Sequence, residues 1–198
     1  TRQEVRNKFA SFSIEVAIED IFTSAYVAAH HLVNKGLARQ RVLAIGTPSL
    51  EAELHAVGLE TATVLPPNSE PLLNAEVKRD PSVGAVVVGL DPTLNYPKLV
   101  QAVVQLSDPA CHFIATNTDA TLPFGGSFYP GAGAIVTAIS TSSGRQPTVM
   151  GKPEPHMLEQ IISVLGCDRS RTVMIGDRHV PAILFCLTAG SLETDIAF

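Results

Sequence analysis

Met150-Gly151-Lys152-Pro153 is followed, one predicted helix later, by Thr172-Val173-Met174-Ile175-Gly176-Asp177-Arg178. In both places an apolar run ends in a glycine and a charged side chain, which predicts two successive buried strands with Lys152 and Asp177 at their carboxyl ends. In doubly wound α/β sheets, reacting groups lie just beyond the carboxyl ends of parallel strands. A lysine there neutralises a phosphoryl oxygen, and an aspartate there can hold Mg²⁺. The two segments therefore predict half of a phosphate-handling site.

Each of these two residues also has a simpler interpretation. Lys152 could be a solvated lysine at a surface turn, which Gly-Lys-Pro alone would favour. Asp177 could be the N-cap of a helix, since aspartate commonly caps a helix that follows a strand. The order of the two motifs, with one helix between them, favours the phosphate site.

The composition is that of a globular protein without a nucleic-acid or membrane partner. The chain has 198 residues, 45% of them hydrophobic, which suffices for one good core or two small ones. Its net charge of −5 and its scattered basic residues provide no surface for nucleic acid. No apolar run approaches the roughly 20 residues that span a bilayer, and the first residues do not resemble a signal segment. Because the three cysteines are widely spaced and suit reduced thiols, we expect a cytoplasmic protein.

Short runs rich in valine and isoleucine alternate with helical patterns, which is typical of parallel α/β units. The predicted strands are Arg41 to Ile45, Thr61 to Leu65, Gly84 to Val88, His112 to Ala115, Thr148 to Met150 and Thr172 to Ile175. The predicted helices are Leu50 to Val57, Pro97 to Leu106, Ala134 to Ser140, Glu154 to Leu165, and an earlier one from about Ile14 to Asn34, for which a break near Asp20 is the alternative.

Two segments interrupt this alternation. The stretch Pro66 to Pro81 is rich in proline, asparagine and charge, which predicts an irregular surface excursion. The stretch Pro123 to Gly133 is rich in glycine and proline, which predicts a domain boundary or hinge.

Asp91 follows the predicted strand Gly84 to Val88 in the sequence Gly89-Leu90-Asp91-Pro92-Thr93. Phosphoaspartyl enzymes place their nucleophile at the end of such a strand, so Asp91 could be a nucleophile. However, Pro92 stiffens the turn, and no second carboxylate lies two residues further on to act as the acid. A structural turn or a helix N-cap is the favoured interpretation of Asp91.

Polar residues also follow the predicted strand His112 to Ala115, in the sequence Thr116-Asn117-Thr118-Asp119. Asn117 and Asp119 could orient a substrate at the end of this strand. Asparagine and aspartate are also standard turn formers, so both interpretations remain open.

Read in order, these motifs resemble the haloacid dehalogenase-like (HAD) phosphatase superfamily, in particular its capped branch of phosphoglycolate, pyridoxal and p-nitrophenyl phosphatases. The resemblance extends to about Phe185. It rests on Thr23-Ser24-Ala25-Tyr26, Val86 to Asp91, Asn95 to Leu99, Ala115 to Asp119, Pro130 to Gly133, Gly151 to Pro153 and Val173 to Arg178.

The resemblance implies an α/β protein with a Rossmann-like core and an inserted α/β cap. Residues 1–18 and 126–185 would form an incomplete core, 19–125 the cap, and 186–198 a divergent tail. In the family, a first motif supplies two catalytic aspartates and a second motif supplies a phosphate-binding hydroxyl. Both would precede Thr1, so the chain resembles an N-terminally truncated member.

The resemblance also assigns site residues. Lys152 matches the third family motif, whose lysine orients the nucleophile and the phosphate, and Asp177 matches the fourth, a Mg²⁺ ligand. Ala182 stands where the family has a further acidic residue, so we expect weak Mg²⁺ binding. Leu122 lies in the cap loop with which family members contact the substrate. Asn117 and Asp119 are the other candidate substrate-binding residues.

The function implied by the resemblance is Mg²⁺-dependent hydrolysis of small phosphate monoesters, such as 2-phosphoglycolate or p-nitrophenyl phosphate, through an aspartyl-phosphate intermediate. The partner would be a small phosphorylated metabolite. Without the nucleophile, this chain is expected to be inactive alone. The alternative is a noncatalytic protein that binds a partner or forms a homodimer through its cap.

Overall fold

A computed structural model describes residues 1–65 and 76–172 of the chain. Its strands are β1 (Arg41–Ile45), β2 (Glu60–Thr61), β3 (Val83–Val88), β4 (His112–Ala115), β5 (Thr121–Phe124), β6 (Ser127–Pro130) and β7 (Thr148–Val149). Its α-helices are α1 (Arg2–Ser11), α2 (Ser24–Asn34), α3 (Pro48–Ala56), α4 (Tyr96–Leu106), α5 (Ala132–Ser143) and α6 (His156–Leu165), with single 3₁₀ turns at Ile18–Asp20 and Arg169–Arg171. None of the helices in these described ranges is long and apolar enough to cross a bilayer.

Five of the strands form one parallel sheet in the order β2-β1-β3-β4-β7. Strand β3 lies at its centre, and all six of its residues are buried. A strand that is covered on both faces must be apolar throughout, which the run Val83 to Val88 satisfies. The α/β fold with a Rossmann-like parallel sheet is therefore confirmed.

The sheet is covered by helices on both faces because side chains alternate along each strand. In β1, Val42 and Ala44 pack into a core with α2 and α3. Leu43 and Ile45 point to the other face and pack into a core with α4 and α5. The result is a three-layer sandwich whose loops meet at the carboxyl edge of the sheet.

Most predicted elements are found, but two predictions are wrong. The predicted strand Thr61 to Leu65 is reduced to the short β2, because the Gln101 side chain takes the place of a neighbouring strand. Gln101 Oε1 accepts a hydrogen bond from the Leu65 backbone N–H at 2.7 Å, and its Nε2 donates to the Thr63 carbonyl at 3.3 Å.

The single helix predicted from Ile14 to Asn34 is also wrong, since only its second half forms α2. Thr23 caps this helix, and its hydroxyl oxygen accepts a hydrogen bond from the Tyr26 backbone N–H at 3.1 Å. The predicted break near Asp20 coincides with the 3₁₀ turn Ile18–Asp20. All but the first residue of the predicted strand Thr172 to Ile175, and residues 66–75 of the predicted excursion Pro66 to Pro81, lie outside the described residues.

The glycine- and proline-rich stretch Pro123 to Gly133, for which a domain boundary or hinge is predicted, lies in the hairpin β5–β6 and the start of α5. Its turn residues Gly125 and Gly126 have φ values of 58° and 80°, as a two-residue turn with two left-handed positions requires. Strand β7, which lies beyond this stretch, pairs with β4, which precedes it. The division into a cap and a core stays a prediction, but the described strands on both sides of residue 125 share one sheet.

Candidate functional site

The carboxyl ends of β3, β4 and β7 lie side by side, because the three strands are parallel neighbours or next neighbours in the sheet. Three predicted segments follow these ends: Gly89 to Asp91, Thr116 to Asp119, and Met150 to Lys152. Parallel order thus brings Asn117 and Lys152 to the same edge. This is the edge at which open α/β sheets bind their ligands.

The contact between the β4 and β7 ends is close and depends on Gly151. The Met150 backbone N–H donates to the Ala115 carbonyl at 2.8 Å, which extends the pairing by one residue. A Cβ atom on Gly151 would lie 2.6 Å from the Thr116 carbonyl oxygen and 3.2 Å from the Asn117 Cβ. Only glycine allows the backbone before Lys152 to approach this loop so closely.

The Lys152 side chain is exposed at this edge. Within residues 1–65 and 76–172, no carboxylate forms an ion pair with its ammonium group. An exposed ammonium group that is not engaged by the described acidic side chains is able to receive a phosphoryl oxygen.

Asn117 and Asp119 form a local turn, which was one of the two interpretations of this sequence. Asn117 Oδ1 accepts a hydrogen bond from the Asp119 backbone N–H at 3.2 Å, and its Nδ2 lies 3.4 Å from Thr116 Oγ1. Asn117 is half-buried and Asp119 is exposed. The turn fixes the Asn117 side chain beside Gly151. The role of Asn117 in substrate orientation stays a prediction.

The start of α5 holds this turn in place. The Gly131 backbone N–H donates to the Ala120 carbonyl and the Gly133 N–H to the Asp119 carbonyl, both at 2.9 Å. Cβ atoms on Gly131 and Gly133 would lie within 2.4 Å of carbonyl oxygens of the turn. The glycines of Pro130 to Gly133 therefore serve close packing, a role that the sequence analysis did not assign to them.

Leu122 lies elsewhere, on β5 opposite Tyr129, and 39% of it is exposed. Together with Leu90, Leu94 and Tyr129 it lines an open, mainly apolar cleft of about 430 Å³. The structure thus brings Asn117 next to Gly151, the residue before Lys152. It places Leu122 beside Leu90 and Asp91.

Asp91 is buried, and both of its carboxylate oxygens are engaged. Lys98 Nζ donates to its Oδ2 at 2.6 Å, and the backbone N–H and hydroxyl of Thr93 each donate to its Oδ1 at 2.8 Å. Its side chain is only 1% exposed. A nucleophile must reach its substrate, so this geometry supports the structural interpretation of Asp91.

Sequence reasoning missed the role of Lys98 in this arrangement. Lys98 follows Asp91 by seven residues, and Asn95 caps the intervening helix α4 by accepting a hydrogen bond from the Lys98 backbone N–H at 3.1 Å. A buried aspartate requires a cation, but the burial of Asp91 is known only from the structure, so the sequence held no signal for this pair.

The buried Cys111 offers no alternative nucleophile. Burial raises the pKa of the Cys111 thiol to about 11, so the thiol is protonated at neutral pH. Cys167 is a free, half-buried thiol. Both agree with the expectation of reduced cysteines, and Cys186 lies outside the described residues.

Metal binding cannot be assigned to the part of the chain that the structure describes. No group of three His, Cys, Asp or Glu side chains in residues 1–65 and 76–172 is arranged to hold a metal ion. The predicted Mg²⁺ ligand Asp177 and the neighbouring Ala182 lie outside these residues. A carboxylate from that segment would be required at the edge that carries Lys152.

Comparisons with known proteins agree with this fold and with these motifs. The profile of the haloacid dehalogenase-like hydrolase family matches residues 4–190. The chain is 38% identical to a 4-nitrophenylphosphatase of Schizosaccharomyces pombe over 204 residues, covering 100% of this chain and 64% of the relative. It is 37% identical to phosphoglycolate phosphatase 2 of Arabidopsis thaliana, covering 96% and 65%. The chain thus spans just under two thirds of these relatives' length.

Solved structures show the same similarity. A p-nitrophenyl phosphatase-like protein from Bacillus subtilis superposes with a TM-score of 0.82 at 29% identity, covering 96% of this chain and 66% of that one. A glycerol phosphate phosphatase from Mycobacterium tuberculosis, solved in complex with magnesium, superposes with a TM-score of 0.79 at 30% identity, covering 96% and 53%.

Proposed function

Because the chain belongs to the haloacid dehalogenase-like hydrolase family, we propose that its residues serve a Mg²⁺-dependent phosphatase of small phosphate monoesters. The substrates would be of the 2-phosphoglycolate or p-nitrophenyl phosphate type, in line with the names of its relatives. The reaction would pass through an aspartyl-phosphate intermediate. The free thiols Cys111 and Cys167 agree with a cytoplasmic location, which is part of the proposal.

The observation that carries this proposal is the close contact of Gly151 with Thr116 and Asn117. It sets Lys152 next to a polar turn at the carboxyl edge of a parallel sheet. In the proposed site, Lys152 offsets charge on the transferring phosphoryl group, while Asn117 and Asp119 orient the rest of the substrate. Leu122 would contact an apolar part of the substrate.

Mg²⁺ would supply further neutralisation of the phosphoryl oxygens, with Asp177 as its protein ligand. The described residues contain no group of three His, Cys, Asp or Glu side chains that could hold this ion. The assignment of the metal therefore rests on Asp177 and on the family, and no step is routed through it.

We further propose that residues 1–198 supply no nucleophile of their own. The carboxylate of Asp91, which is the candidate at a strand end, is buried and bound by Lys98 and Thr93. Groups of an active site act as a unit, so a site without its nucleophile loses nearly all of its rate enhancement.

Two measurements test the two halves of this proposal. Binding of inorganic phosphate in the presence of Mg²⁺, followed by ³¹P NMR, should weaken in Lys152→Ala, and unchanged binding would contradict the role of Lys152. Hydrolysis of p-nitrophenyl phosphate should be no faster with the chain than with a Lys152→Ala, Asp177→Asn double variant. Mg²⁺-dependent turnover that the double variant lacks would show that a nucleophile is present, and Asp91→Asn would then be the first variant to assay.

The second candidate function is homodimer formation. It is favoured by the β5–β6 hairpin, which begins at the end of the predicted cap and continues into the predicted core. Its side chains Phe124, Phe128 and Tyr129 are 62%, 74% and 51% exposed, and none of the residues 121–130 is charged. The apolar cleft beside the hairpin carries no unpaired charge either, because Asp91 is paired with Lys98. Such a surface can pack against a second copy of itself.

Light scattering coupled to size-exclusion chromatography tests this candidate. We expect a dimer that Phe128→Ser converts to a monomer. Phe12→Ser is the matched control, since Phe12 is also 65% exposed but follows α1. A monomeric parent chain, or equal effects of the two variants, would contradict the proposal.

A further inference from the structure

Helix α6 has a small contact surface with the rest of the described structure. Of its ten residues, all of them described, only Leu158 is buried. Met157 is partly buried and packs against the core that α2 and α3 share with the sheet. Since only one α6 side chain is fully buried, repulsion at a single contact can shift the docking equilibrium of α6.

That polar contact is between two histidines, His31 on α2 and His156 at the first position of α6. Their ring centroids are 5.5 Å apart, and the rings meet edge to face at 62°. They line a cleft of about 180 Å³ together with Asn34, Glu159, Gln160 and Ser163. The contact is therefore a helix–helix interface built around two titratable rings.

The charged groups around His31 favour its neutral form. Burial lowers the pKa of His31, and the nearby His156, Lys35 and His112 lower it further, whereas Glu159 acts in the opposite direction. Glu159 Oε2 lies 3.5 Å from His156 Nδ1, but its other oxygen lies 3.9 Å from an Arg169 guanidinium nitrogen, so its charge is shared. One shared carboxylate does not neutralise two imidazolium rings.

We propose that the His31–His156 contact is an acid-sensitive latch, which holds α6 on α2 while both rings are neutral and releases α6 when both are protonated. Histidine is the side chain whose ordinary titration falls near physiological pH. Two unit charges 5.5 Å apart repel each other enough to weaken docking by about 4-fold at the dielectric of water and by about 160-fold at an effective dielectric of 20.

The direction of the pH effect follows from His31. Because its pKa is lowered in the docked state, the released state binds more protons as the pH falls. The latch therefore stabilises the docked helix fully above about pH 6.5, the ordinary pKa of histidine, and this stabilisation is lost as the pH falls below that value.

Release of α6 would also affect the candidate site. His156 follows Lys152 by four residues, so the segment that carries Lys152 would lose the anchor at its C-terminal side. This consequence rests on the proposed function, whereas the latch itself does not. The test therefore measures α6 directly and does not use activity.

Hydrogen exchange of the full chain at about pH 7.5 and about pH 5.5, corrected for intrinsic exchange rates, tests the latch. We expect His156–Leu165 to lose protection at the lower pH relative to Arg41–Ile45 in the central sheet. His31→Gln removes the ring whose pKa is lowered, and His156→Gln removes the ring that it contacts, so this loss should shrink in both variants. His55→Gln is the control, because His55 is exposed on α3 and contacts Thr61.

Two results of this hydrogen-exchange experiment would overturn the latch. Equal protection of α6 at the two pH values in the parent chain would overturn the latch. A loss of protection that both glutamine variants keep in full would also overturn it. If one variant does not fold, the other variant and the His55→Gln control still decide the result.

Discussion

Replacing Lys98 by methionine would leave the Asp91 carboxylate buried without its cation. The Asp91 side chain is 1% exposed and that of Lys98 14% exposed, and Nζ lies 2.6 Å from Oδ2. At an effective dielectric of about 20, charges at this distance attract by about 6 kcal/mol, which the cost of desolvating both groups partly offsets.

The expected cost in the free energy of unfolding is about 3 kcal/mol. Removing one partner of a buried pair typically costs about 3–5 kcal/mol. The lower end applies here because the two hydrogen bonds from Thr93 to Asp91 Oδ1 remain. For a chain of this size, the melting temperature should fall by about 6–12 °C.

Urea unfolding followed by circular dichroism measures this cost, and Arg79→Met is the matched control. Arg79 pairs with Asp108 at 2.9 Å, but the two side chains are 36% and 30% exposed. An exposed pair contributes about 0–1 kcal/mol. If Lys98→Met cost no more than Arg79→Met, the argument that burial makes Asp91 depend on Lys98 would be refuted.

Three further predictions concern the candidate site and the sheet. Gly151→Ala should lower the free energy of unfolding by about 1–3 kcal/mol in urea, because the added Cβ would lie 2.6 Å from the Thr116 carbonyl oxygen. An unchanged free energy of unfolding would mean that the loop moves to accept the Cβ. Calorimetry should show Mg²⁺ binding weaker than about micromolar, since Asp177 has Ala182 in place of a second carboxylate, and tighter binding would point to another acidic ligand. Hydrogen exchange should be slow in Arg41 to Ile45 and Gly84 to Val88 and fast in Thr148 to Met150. The reason is that β7 is short and pairs only with β4 in the described part of the chain. Equal protection of the three segments would contradict this expectation.

Apolar periodicity was sufficient to predict the central sheet. The run Val83 to Val88 is buried throughout, and the residues of β1 alternate between two cores, so local pattern and tertiary packing agree there. The prediction of a strand from Thr61 to Leu65 is wrong because the Leu65 backbone is hydrogen-bonded to the Gln101 side chain and not to another strand. Gln101 lies 36 residues beyond Leu65. No local pattern contains such a contact.

The hairpin was not predicted, although a local signal for it existed. Gly125-Gly126 lies between Thr-Leu-Pro-Phe and Ser-Phe-Tyr-Pro, which is the pattern of two short strands joined by a two-residue turn. The density of glycine and proline outweighed that pattern and suggested a hinge.

The candidate site was predictable only in part. Lys152 and Asn117 were found as residues at strand ends, but their proximity depends on the order of β4 and β7, which the sequence does not state. The buried pair of Asp91 and Lys98 also required the structure, because a carboxylate at a strand end looks the same whether it is free or bound.

The pairing of β4 with β7 also determines the side from which a ligand can reach the candidate site. Continued beyond Ala115 and Val149, the register sets Asn117 opposite Gly151, and neighbouring strands lie about 4.8 Å apart. The two loops leave no gap between them, because even a Cβ atom on Gly151 would lie 2.6 Å from the Thr116 carbonyl oxygen. A ligand that touches both loops therefore has to approach from beyond the carboxyl edge of the sheet and extend away from it.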